Sequence, residues 1–253
     1  MRIGAQFYTL HEQCKTLPDF ALALQKVADI GYEYVQISGT CDWEAHWLRE
    51  QLDKTGLKCV LTHISPERMT DDLDAVLADH AVIGCENIGC GWYGFMEDDE
   101  RHCYDGFVEM YLPVARKLAA AGRQFMFHNH AREFQRVDGK PILQKLAEDF
   151  TPEELKFTLD TYWVQFAGGD PAQWLERLSG RVPVIHLKDC AYGENGGLMA
   201  VIGEGNINFD RVFEKAESAG TQYMLVEQDD CYGEDPFECL RRSYQNLKAM
   251  GFH

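Results

Sequence analysis

The chain has 253 residues, of which 45% are hydrophobic and 26% are charged, and its formal net charge at pH 7 is -17. This length and composition are typical of a globular protein with a substantial core, and about 250 residues suffice for one (β/α)₈ barrel. The acidic charge argues against a nucleic-acid partner, because phosphate binding relies on basic patches. No apolar run is long enough to span a bilayer, which argues against a membrane protein.

The cysteines and the first residues indicate where the protein resides. Nine cysteines are scattered along the chain, and no Cys-x-x-Cys pair occurs among them. This pattern predicts reduced thiols, with neither a disulfide framework nor a zinc knuckle. The first eight residues lack a basic stretch followed by a long apolar segment, so no secretion signal is expected. The expected localisation is therefore cytoplasmic.

Strand-like and helix-like segments alternate along the whole chain. Helix-like segments carry apolar residues at helical spacing and end at Gly31, Gly56 and Gly122, among others. The predicted strands are Ile3–Tyr8, Tyr34–Ser38, Lys58–His63, Glu86–Gly89, Phe125–His130, Lys156–Asp160, Val184–Lys188 and Tyr223–Glu227. The predicted helices are Leu17–Ile30, Asp42–Thr55, Asp71–Ile83, Tyr104–Ala121, Pro141–Glu148, Pro171–Leu178, Phe209–Ala219 and a last one from Pro236.

Eight strand–helix units follow one another at roughly 30-residue spacing, which is the length of a βαβ unit. This regularity predicts an α/β protein with a single (β/α)₈ TIM barrel over residues 1–253. A doubly wound open sheet is the alternative, but no Gly-x-Gly-x-x-Gly turn follows the first strand. No linker or low-complexity tract suggests a second domain.

Ionisable residues gather at the ends of predicted strands five to eight, where the βα loops of a barrel form its active site. In strand five, His128 and His130 share a face, because side chains two residues apart in a strand point the same way. Asp160, His186 and Glu227 have apolar neighbours of opposite parity, so we expect them to face inward. One such residue is commonly only a hydrogen-bonded polar group. Four consecutive strands with this feature indicate a shared site.

Imidazole and carboxylate ligands together suit one divalent Mn, Zn, Fe or Co ion, whereas a site for Mg has oxygen ligands only. The expected site takes one ligand from each of strands five to eight. Asp160, His186 and Glu227 are the predicted ligands from the last three strands. In strand five, the residues alone leave open whether His128 or His130 is the ligand.

Several segments resemble the xylose-isomerase-like TIM-barrel superfamily, and together they span nearly the whole chain. That superfamily contains sugar phosphate isomerases and epimerases, inosose dehydratases and, more distantly, the endonuclease IV type of DNA-repair enzyme. The segments are Gly4–Leu10, Thr55–Lys58, Phe127–His130 with Glu133–Phe134, Leu159–Thr161, His186–Asp189, Gly203–Gly205 and Val226–Asp229.

The resemblance implies a divalent metal held by Glu, Asp, His and Glu at the ends of strands five to eight. The last three correspond to Asp160, His186 and Glu227, whereas His128 stands where relatives carry the first glutamate. This alignment favours His128 as the ligand and makes His130 a substrate or outer contact; the two exchange roles if the strand is one pair longer. Where both glutamates are present, they act as acid and base on opposite faces of the sugar. The histidine therefore makes elimination, as in inosose dehydratases, a rival reaction.

Further residues are expected to face the substrate. Lys188 shares the inward parity of His186 and is predicted to stabilise an enolate or bind an oxygen, unless it is a salt-bridged rim lysine. His63, Glu133 and Glu204 are predicted to bind substrate, although a lone histidine is more often structural and both glutamates could simply be solvated.

Aromatic residues are also candidates for the substrate site. Tyr8, Trp92 and Trp163 are predicted to offer apolar faces to a sugar ring, although aromatic residues at such positions often only pack.

The predicted function is a metal-dependent isomerase or epimerase of a sugar or oxidised sugar, acting through an enediolate. Glu227, Lys188 and His130 are the predicted catalytic residues. Two alternatives stay open: a metal-dependent dehydratase or lyase of a keto-sugar or keto-inositol, and a non-catalytic carbohydrate-binding barrel. The partner is a small sugar, and the lack of a phosphate-cradling glycine loop with a lysine favours a non-phosphorylated one. The oligomeric state is open, and a homo-oligomer is compatible with the sequence.

Overall fold

Eight parallel strands close into a barrel in the computed structural model, which describes residues 1–96, 98–99, 102–194 and 196–252. The strands are β1 (Arg2–Gln6), β2 (Tyr34–Ile37), β3 (Lys58–His63), β4 (Asn87–Cys90), β5 (Gln124–His128), β6 (Lys156–Asp160), β7 (Val184–Leu187) and β8 (Tyr223–Val226). Each strand pairs with its neighbour in the chain, and β8 pairs with β1 to complete the ring. The predicted (β/α)₈ barrel is confirmed, and no strand end differs from its prediction by more than two residues.

Helices surround the barrel. They are α1 (Leu17–Ile30), α2 (Ala45–Thr55), α3 (Pro66–Asp71), α4 (Leu73–Ile83), α5 (Tyr104–Ala120), α6 (Ile142–Asp149), α7 (Thr161–Phe166), α8 (Pro171–Arg177), α9 (Phe209–Ser218) and α10 (Pro236–Ala249). Short 3₁₀ helices occupy Phe7–Gln13 and Arg132–Phe134, and a hairpin pairs Asp189–Gly193 with Gly196–Ala200. A second, two-residue hairpin pairs Arg136–Val137 with Lys140–Pro141. The short helices α3 and α7 and both hairpins are absent from the sequence prediction.

Local sequence explains where α1 begins and ends. The Thr16 side chain accepts a hydrogen bond from the Asp19 backbone N–H, and Pro18 occupies the first turn. Gly31 ends the helix with φ +117°, a left-handed conformation that favours glycine. The helix buries Phe20 and Leu24 in the same apolar cluster as strand residues such as Val35, so that the barrel and its helices share one apolar layer.

Side chains alternate between this outer layer and the barrel interior. Phe125 and Phe127 of β5 belong to the outer core, whereas Met126 points into the barrel. The interior holds a separate apolar cluster of five buried residues: Val60, Leu61, Met126, Val184 and Leu225. Among the described residues, no helix is long and apolar enough to cross a membrane.

Candidate metal centre and substrate pocket

Four buried side chains at the carboxyl ends of β5 to β8 converge inside the barrel. They are His128, Asp160, His186 and Glu227, and one donor atom from each lies within 4.8 Å of the others. None of the four is more than 4% exposed. We call them the four-residue cluster. Since β5 ends at His128, this histidine and not His130 reaches the cluster.

Both histidines of the cluster are oriented by a hydrogen bond on the far side of the ring. His128 Nδ1 lies 3.1 Å from the Gly91 carbonyl oxygen, and its Nε2 faces Asp160 Oδ2 at 3.3 Å. His186 Nε2 lies 2.7 Å from Gln36 Oε1, and its Nδ1 faces Asp160 Oδ2 at 3.9 Å. A ring N–H that is donated outward fixes the tautomer and leaves the other nitrogen free to bind a metal.

Asp160 is held by its place at the start of a helix. Its Oδ1 accepts a hydrogen bond from the Trp163 backbone N–H at 2.9 Å and so caps α7, while Oδ2 points into the cluster. The Asp160 backbone N–H donates to Asn129 Oδ1 at 3.0 Å. The asparagine between the two histidines therefore links β5 to β6, a role that the sequence analysis missed.

The donor atoms of the four-residue cluster fit a divalent metal ion. His186 Nδ1 is buried without a well-formed hydrogen bond and lies 2.8 Å from Glu227 Oε2, which Lys188 Nζ approaches to 3.1 Å. Buried polar atoms without partners are costly and rare. A cation bound between these atoms would satisfy both, and two imidazoles with two carboxylates suit Mn, Fe, Co or Zn.

Lys188 lies beside the cluster with its ammonium group among three carboxylates. Its Nζ is 3.3 Å from Asp160 Oδ2, 3.1 Å from Glu227 Oε2 and 2.8 Å from Asp229 Oδ1. Burial alone would lower the pKa of Lys188, but the carboxylates of Asp160, Glu227 and Asp229 raise it above its usual value. Lys188 is therefore a buried cation and not an exposed rim lysine.

Asp229 is a site residue that the sequence analysis did not single out. Burial and the nearby Glu227 carboxylate raise the pKa of Asp229 to about 6. The available signal was its parity, since Asp229 follows Glu227 by two residues, as Lys188 follows His186.

His130 lies just beyond the end of β5 and contributes to the wall of a pocket. Its ring packs against Trp163 with centroids 5.3 Å apart, and Nδ1 is buried without a hydrogen-bond partner. Burial and the adjacent His128 lower the pKa of His130 to about 3. The ring is therefore a neutral imidazole near pH 7.

The pocket opens above the four-residue cluster and has a volume of about 560 Å³. This size lies within the range of small-molecule sites. Tyr8 and Trp92 are 40% and 60% exposed, so their rings are open to solvent at the pocket. The predicted site residues on its wall are Tyr8, His63, Trp92, His128, His130, Lys188 and Glu227.

His63 lines the pocket, yet both of its ring nitrogens already have partners. Its Nε2 is 3.0 Å from Gln36 Nε2, and its Nδ1 is 3.1 Å from Ser38 Oγ. Burial and the neighbouring His128 and His186 rings lower the pKa of His63 well below its usual value. His63 is thus a neutral imidazole that is hydrogen-bonded to Gln36 and Ser38.

The structure places Glu133 and Glu204 outside the pocket wall, and their contact with substrate stays a prediction. Glu133 is 1% exposed, and its Oε2 accepts a hydrogen bond from the His130 backbone N–H at 2.7 Å. Glu204 is exposed and forms an ion pair with Arg242 at 3.0 Å. The Glu133 side chain is therefore hydrogen-bonded within the protein, and the Glu204 side chain is paired with an arginine.

The Gly203–Gly205 segment packs against the side chain of Asp189. The backbone N–H groups of Gly203 and Gly205 both donate to Asp189 Oδ2 at 2.9 Å. A Cβ at Gly205 would lie 2.4 Å from the Asp189 carboxylate, so glycine is required there by the close approach. The segment therefore anchors a loop.

The family follows from a match over most of the chain. A family model described as "Xylose isomerase-like TIM barrel" matches residues 24–249. The chain belongs to this family. The resemblance inferred from the sequence motifs is thereby confirmed.

Three known proteins illustrate the range of this TIM-barrel family. An inosose dehydratase of Lacticaseibacillus casei is 21% identical over 267 residues, which cover 91% of this chain and 89% of that protein. An inosose dehydratase of Geobacillus thermodenitrificans (strain NG80-2) is 25% identical over 148 residues, only 51% of this chain and 49% of that protein. The crystal structure of a sugar phosphate isomerase/epimerase from Parabacteroides distasonis ATCC 8503 is 23% identical, covers 99% of this chain and 94% of its own, and has a TM-score of 0.83. That likeness shows the fold.

Proposed function

We propose that this family member is a divalent-metal-dependent isomerase or epimerase that acts on an uncharged sugar or oxidised sugar through an enediolate. One observation carries the proposal: the buried Nδ1 of His130 lacks a partner, and His130 lies on the wall of the pocket that His128 and Glu227 of the four-residue cluster also line. A free imidazole nitrogen next to a cation site is the arrangement that removal of a carbon-bound proton requires.

The metal and the protein have separate tasks in this reaction. When bound, a divalent ion polarises the carbonyl and hydroxyl oxygens of the sugar and so makes the adjacent C–H group more acidic. His130 accepts the proton from that carbon and returns it to the neighbouring carbon. Glu227 transfers the hydroxyl proton between the two oxygens. Lys188, a buried cation, stabilises the negative charge on oxygen while the C–H bond is broken.

The charges on the pocket wall support an uncharged substrate. Among the residues that the structure describes, Lys188 is the one lysine or arginine on this wall, and three carboxylates surround it. Glu67 adds a further acidic group. A phosphate would meet more negative than positive charge there. The exposed rings of Tyr8 and Trp92 offer stacking faces for a sugar ring.

The proposal is tested by following hydrogen exchange in D₂O. The Mn²⁺-loaded or Co²⁺-loaded protein is incubated with a panel of aldoses, ketoses and keto-sugars, and the products are analysed by mass spectrometry and NMR. We expect deuterium at one carbon, no loss of water, and abolition of activity by dialysis against EDTA. His130→Gln should retain the metal and lose the exchange. Turnover that survives extensive removal of metal would refute the proposal.

Elimination of water is the second candidate, and a specific observation favours it. His128 replaces one of the two carboxylates that serve two-glutamate epimerases as acid and base, and its Nδ1 is already tied to Gly91. The two curated relatives above are inosose dehydratases. In such a reaction Asp229, which contacts Lys188, would protonate the departing hydroxyl. Product mass lower by one water would identify a dehydratase, whereas stoichiometric sugar binding without turnover or metal would identify a binding barrel.

A further inference from the structure

Gln36 of β2 connects two histidines across the interior of the barrel. Its side chain is fully buried at 0% exposure. Its Oε1 lies 2.7 Å from His186 Nε2, and its Nε2 lies 3.0 Å from His63 Nε2. Both polar atoms of the amide therefore contact an imidazole ring.

The chemistry of the amide determines where each ring carries its proton. The amide oxygen only accepts hydrogen bonds, so His186 must carry its proton on Nε2 and presents an unprotonated Nδ1 to the cluster. The amide nitrogen only donates, so His63 Nε2 accepts and its proton lies on Nδ1. That Nδ1 faces Ser38 Oγ at 3.1 Å, where a hydroxyl oxygen can accept the hydrogen bond.

We infer that Gln36 is a positioning residue that presets the tautomers of His186 and His63. It directs His186 Nδ1 toward Asp160 and Glu227 before a metal arrives, and it occupies Nε2 of His63. The Gln36 amide makes no hydrogen bond to His130, whose Nδ1 is buried without a partner. This inference rests on the proposed function, because the four-residue cluster is taken to bind a metal.

The same residue type in the neighbouring strand supplies a matched comparison. Gln6 of β1 is paired in register with Gln36 and is also buried. Its Oε1, however, accepts a hydrogen bond from the Tyr8 backbone N–H at 3.1 Å and so caps a 3₁₀ helix. A change at Gln6 disturbs the same layer of the barrel without removing the acceptor from His186.

The experiment compares Gln36→Leu, Gln36→Glu and Gln6→Leu with the wild type, using Co²⁺ alone as the probe. Loss of an outer partner of a ligating histidine typically weakens metal binding about 10–100-fold. We expect this loss for Gln36→Leu. Gln36→Glu should lose less than about 10-fold, because its carboxylate still accepts from His186, and Gln6→Leu should match the wild type.

A second measurement reads the tautomers directly in the metal-free protein. Long-range ¹H–¹⁵N NMR correlations should show His186 protonated on Nε2 in the wild type and in Gln36→Glu, and a mixture in Gln36→Leu. His63 should no longer be held with its proton on Nδ1 in either Gln36 variant, since neither keeps the amide donor. A merely structural role would not produce this pattern.

The outcomes separate this inference from the proposed function. Unchanged Co²⁺ affinity together with unchanged tautomers in Gln36→Leu would overturn the role of Gln36. Failure of the wild type to bind any divalent ion would refute the proposed function, and the NMR result alone would then decide the role of Gln36. If Gln36→Leu does not fold by circular dichroism, Gln36→Glu decides: a His186 tautomer that differs from the wild type would contradict the inference.

Discussion

The two ends of the barrel interior differ sharply although the same strands build both. Toward the amino ends, Leu61, Met126, Val184 and Leu225 form a buried apolar cluster. Two residues later on each of these strands, the inward side chain is His63, His128, His186 or Glu227. Two residues of a strand span about 7 Å. On each of these four strands, the inward side chains therefore change from apolar to ionisable within two residues.

This difference shows that packing and chemistry are assigned to separate layers. The lower layer, formed by the interior apolar cluster, excludes water and stabilises the barrel by apolar burial. The upper layer consists of His63 and the four-residue cluster. The burial of such histidines and carboxylates is costly unless they are paired with one another or with a cation. Substitutions in the two layers should consequently affect different properties.

The largest effect is expected in the upper layer, for Asp160→Asn. The amide can still cap α7 through the Trp163 N–H, but it no longer offers a negative oxygen to a metal or to Lys188. In the proposed function a bound metal contributes several kcal/mol to the reaction, so kcat/KM should fall about 10³-fold or more. Steady-state kinetics and metal analysis would measure the loss.

Asp170→Asn is the matched control for this substitution. Asp170 caps α8 in the same way, through the Ala172 backbone N–H at 2.9 Å, but it lies outside the cluster. Activity should be unchanged, and stability should fall by no more than about 1 kcal/mol. An Asp160→Asn protein that keeps full activity and metal content would contradict the assignment of the upper layer.

In the lower layer, Leu61→Ala should reduce stability and spare metal binding. Leu61 is fully buried in the interior apolar cluster, and truncation of a buried leucine typically costs about 2–5 kcal/mol. Urea unfolding of the metal-free protein would measure the loss, and Co²⁺ titration would test the upper layer. Weaker Co²⁺ binding of more than about 10-fold in a fully folded variant would show that the two layers are not separate.

A buried histidine outside the barrel interior provides a reference for the histidines of the upper layer. His80 of α4 contacts Thr62 Oγ1 through Nε2 and the Val76 carbonyl oxygen through Nδ1, both at 2.7 Å. Burial lowers the pKa of His80 to about 4, below an unfolded value of about 6.5. Stability is thus fully present above pH 6.5 and is lost as pH falls toward 4, because the unfolded chain binds the proton first.

His80→Gln should therefore flatten the pH dependence of unfolding. Between pH 7 and pH 5, the wild type should lose about 2 kcal/mol more than the variant. Urea unfolding of both metal-free proteins at several pH values provides the test. Parallel curves for the two proteins would show that His80 is not the titrating group.

Parity along the strands made much of the site predictable. His128, Asp160, His186 and Glu227 each follow an apolar neighbour of opposite parity at a strand end, and the structure brings all four together. The same argument extended to Lys188. Parity gives no prediction for Glu133 and Glu204, because both lie outside the strands, where no two-residue period fixes the direction of a side chain.

The barrel, the inward face of each strand and the ionisable residues at the strand ends could be predicted from the amino-acid sequence. These properties are local, since they depend on residue spacing within one element. Three contacts could not be predicted in this way: Gln36 with His186, 150 residues away, Lys188 with Asp229, and Glu204 with Arg242. Closure of the barrel and the packing of its loops determine such contacts, so they cannot be predicted from residue spacing along the chain.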